Sequence, residues 1–531
     1  MTEETKMKKE LPGVPEPLPY DPQTLTKEEV CSVFAEMKRQ GEYIAEPMPI
    51  VMATFITERY FPVTFKHQAY LYNPDEGLYY KDTDTVKQIV RDMLHTGMEA
   101  CTEGLLVSKS VKDANNDPLK LTFPMTHRWD PVLRDVDATV KASGVVEGEL
   151  FPFNNYAGFP CGNCVVKFTD EGEIKTKPFR HDMRFTRKIP VNYNPEAKPE
   201  LAKAVLKAWM PDKEHEADRW KWLVQIPAQM IIQSFPDISP FKQAYLVLGK
   251  PNAGKSSYFD LLAMLFGAGN HSTLMLHELG NDFLIAELPG KYFNAGDDLP
   301  FVKVDAANKF KTLTGKRIFD VNPKFERPYK TQITAVQLFA ANYPPEIAPA
   351  LDSDEGWWVR WNIIQFEEEF PKVPDWEKKT FTQEFLESFL LLVLEEVSAI
   401  IKNGNRLLRS QSSEEVHKMW SCNLKLFHNF VDFCLDKTDD KNDTISTDEM
   451  LRVLNQWSVY VMPTLASTQG IPQTELMKQL PNTRKGIGPA LAMEDIHRGQ
   501  AFDEDGKHTT PFIGVRWKPQ MSGHSWFKPE K

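Results

Sequence analysis

Two kinds of hydrophobic pattern alternate along the chain, and together they predict a mixed α/β protein. Short, mainly apolar runs at 244–248 and 333–341 are typical of strands that are buried on both faces of a parallel sheet. Apolar residues at helical spacing predict an amphipathic helix at 85–98 and a more strongly apolar helix at 382–403. Short apolar segments on both sides of 73–77 predict a β-hairpin.

The beginning of the chain carries mostly polar signals. Residues 1–22 are rich in Lys, Glu and Pro, and we expect them to form a disordered tail. Thr26 and Glu29 have the spacing of a capping box, and apolar residues at helical spacing follow them. The pattern therefore predicts a first helix that begins after Thr26 and is ended by Gly41.

The apolar run at 244–248 leads into a glycine-rich loop with the P-loop pattern, and a helical pattern follows the loop. Glycines let successive backbone N–H groups converge on phosphate oxygens, and the helix N-terminus adds the positive end of its dipole. Lys255 can then reach the β- and γ-phosphates of a nucleotide, while the Ser256 hydroxyl can bind Mg²⁺. We predict a nucleotide site formed by Gly249, Pro251, Asn252, Ala253, Gly254, Lys255, Ser256 and Ser257.

Three polar residues after the P-loop have the positions that nucleotide hydrolysis needs. Asp297 would hold Mg²⁺ through water, and Asp298 would orient or deprotonate the attacking water, although an Asp-Asp pair alone is more often a helix cap or a loop. Asn342 ends the run at 333–341, where its amide can hydrogen-bond the attacking water or the γ-phosphate. Because two prolines follow closely, a simple turn is the alternative for Asn342.

Arg360 is a single basic residue within a stretch of large apolar residues. Such an arginine is either a packed stem with its charged head at the surface, or an arginine finger that reaches the nucleotide of a neighbouring subunit. The sequence pattern leaves both interpretations open.

The charge of the chain reverses locally in a way that favours nucleic acid. The net charge of −11 argues against indiscriminate binding by the whole surface, but residues 301–330 contain eight basic and three acidic residues. A glycine turn in this basic, aromatic-containing stretch fits a hairpin that grips phosphates, and the alternative is an exposed lysine-rich loop. The candidate DNA contacts are Lys309, Lys311, Lys316, Lys324 and Phe325.

Five stretches in this order resemble superfamily 3 helicases of the phage, plasmid and large-virus primase–helicase type: Gly249–Ser257, Gly290–Leu299, Phe310–Phe325, Leu338–Glu346 and Val359–Phe366. Residues 151–155 and 190–197 are similar to the helicase-associated N-terminal domain of that family. The resemblance implies an AAA+-like α/β core, a hexameric ring and DNA threaded through its centre. It also implies Walker A, Walker B, sensor and arginine-finger roles for Lys255 with Ser256, Asp297 with Asp298, Asn342 and Arg360. Many relatives have two adjacent arginines where this chain has Val359 and Arg360.

The organisation expected from these patterns has five parts. They are a tail (1–22), an α+β helicase-associated N-terminal region (23–230), an AAA+-like P-loop core (231–380), a helical connector (381–440) and a winged-helix-like C-terminal domain (441–531). In the last part, Arg484 and Lys485 would contact DNA phosphates, and an interaction domain that touches no DNA is the alternative. We find no primase triad in residues 1–150 and predict no primase activity.

Cysteines and apolar runs limit the remaining possibilities. Six cysteines in 531 residues do not suggest a disulfide scaffold. Cys161 and Cys164 have the spacing of half a zinc site or a redox pair, but no second ligand pair lies nearby, which favours two cysteines in a β-turn. No apolar run reaches 18 residues, so we expect a cytoplasmic protein without a membrane partner.

The expected function is an ATP- and Mg²⁺-dependent replicative DNA helicase that works as a homo-oligomeric ring on single-stranded and forked DNA. A separate primase or polymerase is a further expected partner. The alternatives are an AAA+ initiator or loader that remodels DNA without processive unwinding, and a non-enzymatic DNA-binding protein with a degenerate P-loop. The intact Lys255, Ser256, Asp297 and Asp298 argue against the last of these.

Overall fold

The structure is a computed structural model. It describes residues 26–123, 129–146, 152–213, 216–249, 251–299, 304, 307–315, 318–324, 328–342, 344–345, 347–424, 426–438, 440–469, 477, 480–481, 483–492, 496–502 and 508–528. The tail expected at 1–22 lies outside these residues.

The N-terminal region is an α+β unit in which short antiparallel strands pack against helices. Its strands form the pairs β1–β2 and β6–β7 and the three-stranded sheet β3–β4–β5. The elements are α1 (Lys27–Ser32), β1 (Phe34–Arg39), β2 (Glu42–Pro47), α2 (Pro49–Tyr60), β3 (Val63–Phe65), β4 (Gln68–Asn73), β5 (Leu78–Lys81), α3 (Thr85–Glu103), β6 (Val107–Lys112), β7 (Pro118–Lys120) and α4 (Trp129–Ser143).

The expected capping box is present, but the helix that it starts is much shorter than the pattern predicts. Thr26 and Glu29 exchange the two capping hydrogen bonds, and the helix ends at Ser32. The chain then forms the hairpin β1–β2, so the prediction of a helix up to Gly41 was wrong. Val30 and Phe34 are both buried in the N-terminal core, Val30 on the helix and Phe34 at the start of β1. A helix and a strand can each direct these two side chains inward, so their apolar character does not distinguish the two structures.

A bridging segment connects this region to the central sheet. It contains β8 (Phe159–Pro160), β9 (Val165–Phe168), β10 (Ile174–Lys177), a 3₁₀ turn (His181–Met183), α5 (Pro199–Trp209) and α6 (Lys221–Gln233). Arg187 fastens the segment, because its buried guanidinium donates to the Gly290 carbonyl at 2.7 Å and lies 3.9 Å from the centre of the Tyr292 ring. A guanidinium over a desolvated aromatic face contributes about 2 kcal/mol.

The central unit is a five-stranded parallel sheet with helices on both faces. The spatial strand order is β12-β13-β16-β11-β17, and β11 lies between β16 and β17. The elements are β11 (Ala244–Gly249), α7 (Lys255–Phe266), a 3₁₀ turn (Ala268–Asn270), β12 (His271–Ser272), a 3₁₀ turn (Leu276–Gly280), α8 (Asp282–Ile285), β13 (Phe293–Gly296), α9 (Ala307–Gly315), β14 (Ile318–Val321), β15 (Tyr329–Gln332), β16 (Val336–Ala341), α10 (Pro349–Asp352), α11 (Glu355–Trp358) and β17 (Trp361–Phe366).

The apolar run at 244–248 is a strand that is buried on both faces, as expected of a parallel sheet. Tyr245 and Val247 face the hydrophobic cluster that includes α6 and α7, whereas Leu246 faces the cluster on the opposite side of the sheet. Each fully buried aliphatic side chain of this kind contributes about 2 kcal/mol of transfer free energy. The P-loop therefore begins at the end of a strand that lies in the buried interior of the unit.

One prediction in the basic segment was wrong. The stretch Lys309–Gly315, expected to turn at its glycine, belongs to the helix α9. An antiparallel hairpin does occur in the segment, but it consists of β14 and β15, with Asp320 opposite Lys330. The hairpin connects α9 to β16.

The C-terminal part begins with α12 (Trp376–Thr380), the long apolar helix α13 (Gln383–Lys402) that the pattern predicts, and α14 (Ser413–Leu424). A separate hydrophobic cluster follows, and it includes residues of α15. Its elements are α15 (Leu426–Cys434), β18 (Leu435–Lys437), β19 (Thr444–Ile445), α16 (Thr447–Gln469), α17 (Arg484–Ala492), β20 (Ala501–Phe502), β21 (His508–Thr509), β22 (Phe512–Ile513), β23 (Val515–Trp517) and a 3₁₀ turn (Pro519–Gly523). Among the described residues, no helix is long and apolar enough to cross a membrane.

Candidate functional site

The loop between β11 and α7 depends on two close approaches of the backbone. A Cβ at Gly249 would collide with the carbonyl oxygen of Phe366 on the neighbouring strand β17. A Cβ at Gly254 would lie 2.6 Å from the indole nitrogen of Trp209, and the φ of Gly254 is +93°. Only glycine fits these two positions without displacing a neighbour.

Lys255 connects the loop to a neighbouring strand. Its ammonium donates to the Gly249 carbonyl at 2.6 Å and to Asn342 Oδ1 at 2.9 Å. Asn342 follows β16, and β16 pairs with β11 in parallel, so the carboxyl ends of the two strands meet at one edge of the sheet. Burial lowers the pKa of Lys255, and the carboxylates of Asp297 and Asp298 act in the opposite direction.

The acidic pair lies at the same edge. Asp297 and Asp298 follow β13, which pairs with β16, and the amide of Leu299 donates to the Ala340 carbonyl at 2.8 Å. Asp298 has a φ of +54°, in the left-handed region that Asp tolerates better than most residues. Its side chain is exposed and that of Asp297 is half-buried. The structure thus brings Lys255, Asn342 and both carboxylates together.

The donor set at this edge fits Mg²⁺. Mg²⁺ prefers oxygen ligands and keeps several waters, so one hydroxyl and one carboxylate together with nucleotide phosphates can hold it. The exposed Ser256 hydroxyl and Asp297 would supply these two oxygens. Among the described residues, no group of three or more His, Cys, Asp or Glu side chains is arranged to hold a metal by itself. The ion would therefore depend on the nucleotide for its remaining ligands.

Ser257, the next residue, has a different environment. Its hydroxyl donates to Glu377 Oε1 at 2.8 Å, on the short helix α12. A second contact holds the same segment, because the amide of Phe370 donates to the Asn252 carbonyl at 3.0 Å. Burial raises the pKa of Asp260, and the carboxylates of Glu377 and Asp297 raise it further. The segment 366–382 therefore packs against the outer side of the P-loop. The sequence did not predict this contact.

Aromatic rings form a platform under the loop. The ring centre of Trp209 lies 6.0 to 6.3 Å from the centres of four other rings, at tilted or edge-to-face angles. Such geometries are favourable beyond their burial. The four partners are Tyr258, Phe366, Trp376 and Phe381. Because they come from distant parts of the chain, the only signal in the sequence is the apolar character of each residue.

Arg360 lies at the other edge of the sheet. It directly precedes β17, and its carbonyl accepts from the amide of Ala244 at the start of β11 at 2.7 Å. Six strand residues at about 3.3 Å each separate it by roughly 20 Å from the end of β17 that packs on the P-loop. Its Nε donates to Thr314 Oγ1 at 3.0 Å, and burial lowers its pKa. Arg360 cannot reach the nucleotide site of its own chain.

The basic candidates fall into three groups. Lys309 and Lys311 lie on α9 and form ion pairs with Asp282 and, at 2.6 Å, with Asp354. Lys324 is exposed in the connection between β14 and β15. Lys316 and Phe325 lie outside the described residues.

Cys161 and Cys164, both free thiols, lie in the turn between β8 and β9. The amide of Cys161 donates to the Cys164 carbonyl at 2.7 Å, as in a tight hairpin turn. Burial raises the pKa of Cys161, and the hydrogen bond from Cys161 lowers the pKa of Cys164. This geometry agrees with the turn interpretation.

A second buried lysine, Lys291, lies near the amino end of β13, whereas the acidic pair follows the carboxyl end of that strand. Lys291 is separated from β13 by Tyr292, and its ammonium donates to the Gly269 carbonyl. Burial, aided by the nearby charge of Arg187, lowers the pKa of Lys291 to about 8. No hydrolytic role follows from its position.

The parallel sheet, the glycine loop at its carboxyl edge and the helix after the loop define an α/β protein with a P-loop. The model of a family of unknown function, DUF5906, matches residues 247–360, which extend from within β11 to Arg360. No curated protein matches the chain.

Three solved structures are among those to which this chain is similar. The apo C-terminal region of NrS-1 (residues 305–718 in its own numbering) is 12% identical, with a TM-score of 0.40, over 88% of this chain and 99% of that chain. The A form of the same region gives 12% identity and a TM-score of 0.37 over 87% and 98% of the two chains. JC virus helicase with a bound small molecule gives 12% identity and a TM-score of 0.26 over 43% and 62%. Overlaps at these identities and TM-scores assign no role to any residue.

Proposed function

We propose that this protein is an ATP-dependent DNA helicase of the superfamily 3 type, which works in replication as a homo-oligomeric, hexameric ring on single-stranded and forked DNA. The observation that carries the proposal is the convergence of Lys255, Asn342, Asp297 and Asp298 at one edge of the sheet. In open α/β sheets, ligands bind outside the carboxyl ends of the strands, which is where these side chains lie.

Each residue at this edge has a distinct task in phosphoryl transfer to water. Lys255 neutralises charge on the β- and γ-phosphates, and the amides of the P-loop hold the phosphate oxygens. Asp298 positions the attacking water and accepts its proton, while Asn342 orients the water or the γ-phosphate. Bound Mg²⁺, held by Ser256 and Asp297, would neutralise charge on the phosphate oxygens. Such preorganised groups lower the barrier mainly through positioning and electrostatics.

The position of Arg360 supports a ring. An arginine at the opposite edge of the sheet can act on a nucleotide only if it belongs to a second chain. In a head-to-tail assembly, the edge with Arg360 faces the P-loop edge of the next subunit, and a closed rotation produces a ring. Arg360 would then stabilise charge in the transition state at the neighbour's site.

The DNA contacts are proposed on the hairpin of β14 and β15, where Lys324 is exposed. Hydrolysis at a subunit interface would move this hairpin along one strand. We assign a lesser role to Lys309 and Lys311, because each forms an ion pair within its own chain. In the C-terminal cluster, the order of helices followed by the hairpin β20–β21 and strands β22 and β23 supports a winged-helix domain, with Arg484 and Lys485 on α17 as phosphate contacts.

ATP hydrolysis by the purified protein, with and without single-stranded DNA, tests the proposal. We expect DNA to stimulate hydrolysis, and Lys255→Ala to reduce it by about 100-fold or more, as does the loss of other transition-state donors. Lys109→Ala, at an exposed site on a distant strand, is the matched control. Absence of hydrolysis from an assembled oligomer would contradict the proposal.

The second candidate function is an AAA+ initiator or loader, which the same nucleotide site supports. Strand displacement on a forked duplex separates the two. A helicase releases the labelled strand with continued ATP hydrolysis, whereas a loader hydrolyses ATP in the presence of DNA and leaves the fork intact.

A further inference from the structure

Two hairpins from different parts of the chain meet on the surface. The first is the turn of β3 and β4 in the N-terminal region, and the second is the hairpin of β14 and β15 next to the central sheet. The ammonium of Lys66, in the first turn, lies over the ring of Tyr329 in β15. The residues in contact are therefore more than 260 positions apart in the chain.

The first turn has an unusual backbone for its sequence. Lys66 and His67 are its two central residues, between the paired Phe65 and Gln68, and their φ values are +52° and +63°. Two-residue turns with both φ values positive strongly favour Asn-Gly or another glycine-containing pair, because other residues are strained there. Non-glycine strain of this kind is found most often at functional sites. Both side chains are exposed.

The chemistry of the combined surface suits a nucleic acid strand. No Asp or Glu occurs between residues 61 and 72. The second hairpin carries the exposed Lys324 and Lys330 and the aromatic Tyr329, with a single acid, Asp320, opposite Lys330 among its described residues. Basic side chains interleaved with aromatic rings are the pattern of surfaces that follow a single-stranded backbone.

We propose that the turn of Lys66 and His67 is a second contact for the phosphate backbone of single-stranded DNA, continuous with the hairpin of β14 and β15. This inference deepens the proposed function and rests on it. The strained turn holds Lys66 close to Tyr329, so one strand passing along the second hairpin also meets the Lys66 charge. The N-terminal region thereby shares in DNA binding.

The test measures binding of a fluorescein-labelled oligothymidylate by anisotropy at several salt concentrations. We expect Lys66→Ala to weaken binding about three- to fivefold at low salt. The slope of log affinity against log salt should become shallower by about 0.7, the contribution of one phosphate contact to a single strand. Lys66→Arg should bind as wild type does.

Lys38→Ala is the matched control. Lys38 also lies over a tyrosine ring near the turn of an N-terminal hairpin, 5.2 Å from the centre of Tyr43, but that hairpin is β1–β2. We expect its affinity and salt slope to equal those of wild type. A loss as large as that of Lys66→Ala would overturn the inference, because any exposed lysine would then have the same effect.

A second variant separates binding from folding. Replacing the turn by Lys66→Asn with His67→Gly removes the backbone strain, so the protein should melt at the same or a higher temperature. We expect this stable variant to bind the oligonucleotide more weakly than wild type. Unchanged affinity and slope in this variant and in Lys66→Ala would overturn the inference.

The failure of the inference is distinguishable from failure of the proposed function. If wild type binds the oligonucleotide and hydrolyses ATP in response to it, while the Lys66 variants do the same with equal affinity, only the inference falls. A weaker Lys66→Ala with an unchanged salt slope also overturns it, since Lys66 would then act only by packing on Tyr329. If wild type neither binds DNA nor hydrolyses ATP, both fall.

Discussion

The ammonium of Lys255 lies 2.9 Å from the side-chain oxygen of Asn342, although 87 positions separate the two residues in the chain. The contact exists because the P-loop strand and the strand before Asn342 are parallel neighbours. The side-chain oxygen of Asn342 thus fixes the position of the Lys255 ammonium at the carboxyl edge of the sheet. We therefore treat Lys255 and Asn342 as one hydrogen-bonded pair in the predictions for ATP hydrolysis.

The first prediction concerns this pair. Asn342→Ala should leave nucleotide affinity within a few-fold of wild type, because the P-loop amides and Lys255 remain, but it should lower kcat about 100-fold through loss of a group that orients the reaction. Steady-state ATPase assays combined with binding of a fluorescent ATP analogue measure the two effects separately. An unchanged kcat would show that Asn342 serves only as a turn.

The second prediction contrasts two adjacent hydroxyls. Ser256 is exposed, whereas Ser257 donates to Glu377. Ser256→Ala should weaken Mg²⁺-dependent nucleotide binding by at least about tenfold, because it would remove the proposed Mg²⁺ ligand. Ser257→Ala should cost about 1 kcal/mol of stability, the typical value of one hydrogen bond, and leave Mg²⁺ dependence intact. Magnesium titrations of nucleotide affinity compare them, and the reverse pattern would contradict the assignment.

The third prediction concerns the aromatic platform. Gly254→Ala should abolish nucleotide binding, since the new Cβ would meet the Trp209 indole at 2.6 Å and the backbone has a φ of +93°. Gly269→Ala is the matched control, because nothing lies within 4 Å of a Cβ at that position. Nucleotide affinity and melting temperature should be measured for both. Wild-type affinity in Gly254→Ala would show that the loop can move away from Trp209.

The fourth prediction tests whether Arg360 acts on another chain. Arg360→Ala and Lys255→Ala should each be inactive alone as ATPases. Mixed before assembly, they should recover a fraction of wild-type hydrolysis, because some interfaces combine an intact Lys255 with an intact Arg360. Thr314→Val, which removes the hydroxyl that accepts from Arg360, should retain most of the activity. No recovery in verified mixed oligomers would argue for a packing role of Arg360.

The fifth prediction uses the buried Lys291, whose pKa is lowered from 10.5 to about 8. Below pH 8 both folded and unfolded forms carry the proton, and folding buries a charge. Between pH 8 and 10.5 the folded lysine loses its proton while the unfolded one keeps it, so stability from this group rises with pH. Lys291→Met should therefore raise the melting temperature at neutral pH, and its advantage should shrink at higher pH.

Thermal unfolding of wild type and Lys291→Met across this pH range measures the difference directly. Lys109→Met, at an exposed site, is the control for the replacement of a lysine by methionine. A constant difference for Lys291→Met would mean that its charge is not affected by folding.

Elements of the fold that are determined by residues close in sequence were predictable from the sequence. The strand at 244–248, the helix after the loop and the hairpin around 73–77 all follow local patterns, and the structure has them. The first helix shows the limit of such patterns. Its capping box fixes where it begins, but after Ser32 the chain enters the hairpin β1–β2, whose second strand also pairs with the distant Thr122.

The candidate site divides in the same way. The P-loop and the acidic pair have local signatures, so their residues could be proposed from the sequence, and the structure brings them together. Glu377 and Trp209 have none, since their contacts with Ser257 and Gly254 depend on how distant segments pack. The ion pairs of Lys309 and Lys311 were missed for the same reason: a count of charges along a segment does not include acids from elsewhere in the fold.

The strand β17 begins next to Arg360 and ends at Phe366, whose carbonyl lies against the P-loop glycine Gly249. In the proposed ring, its first end would touch the nucleotide of one neighbour, and its last end would support the loop that holds the subunit's own nucleotide. Because β17 is paired with β11 along its whole length, it contains no hinge at which it could bend. The strand would therefore transmit a displacement from one nucleotide site to the next without bending. Such coupling favours sequential ATP hydrolysis around the ring over independent hydrolysis at each site.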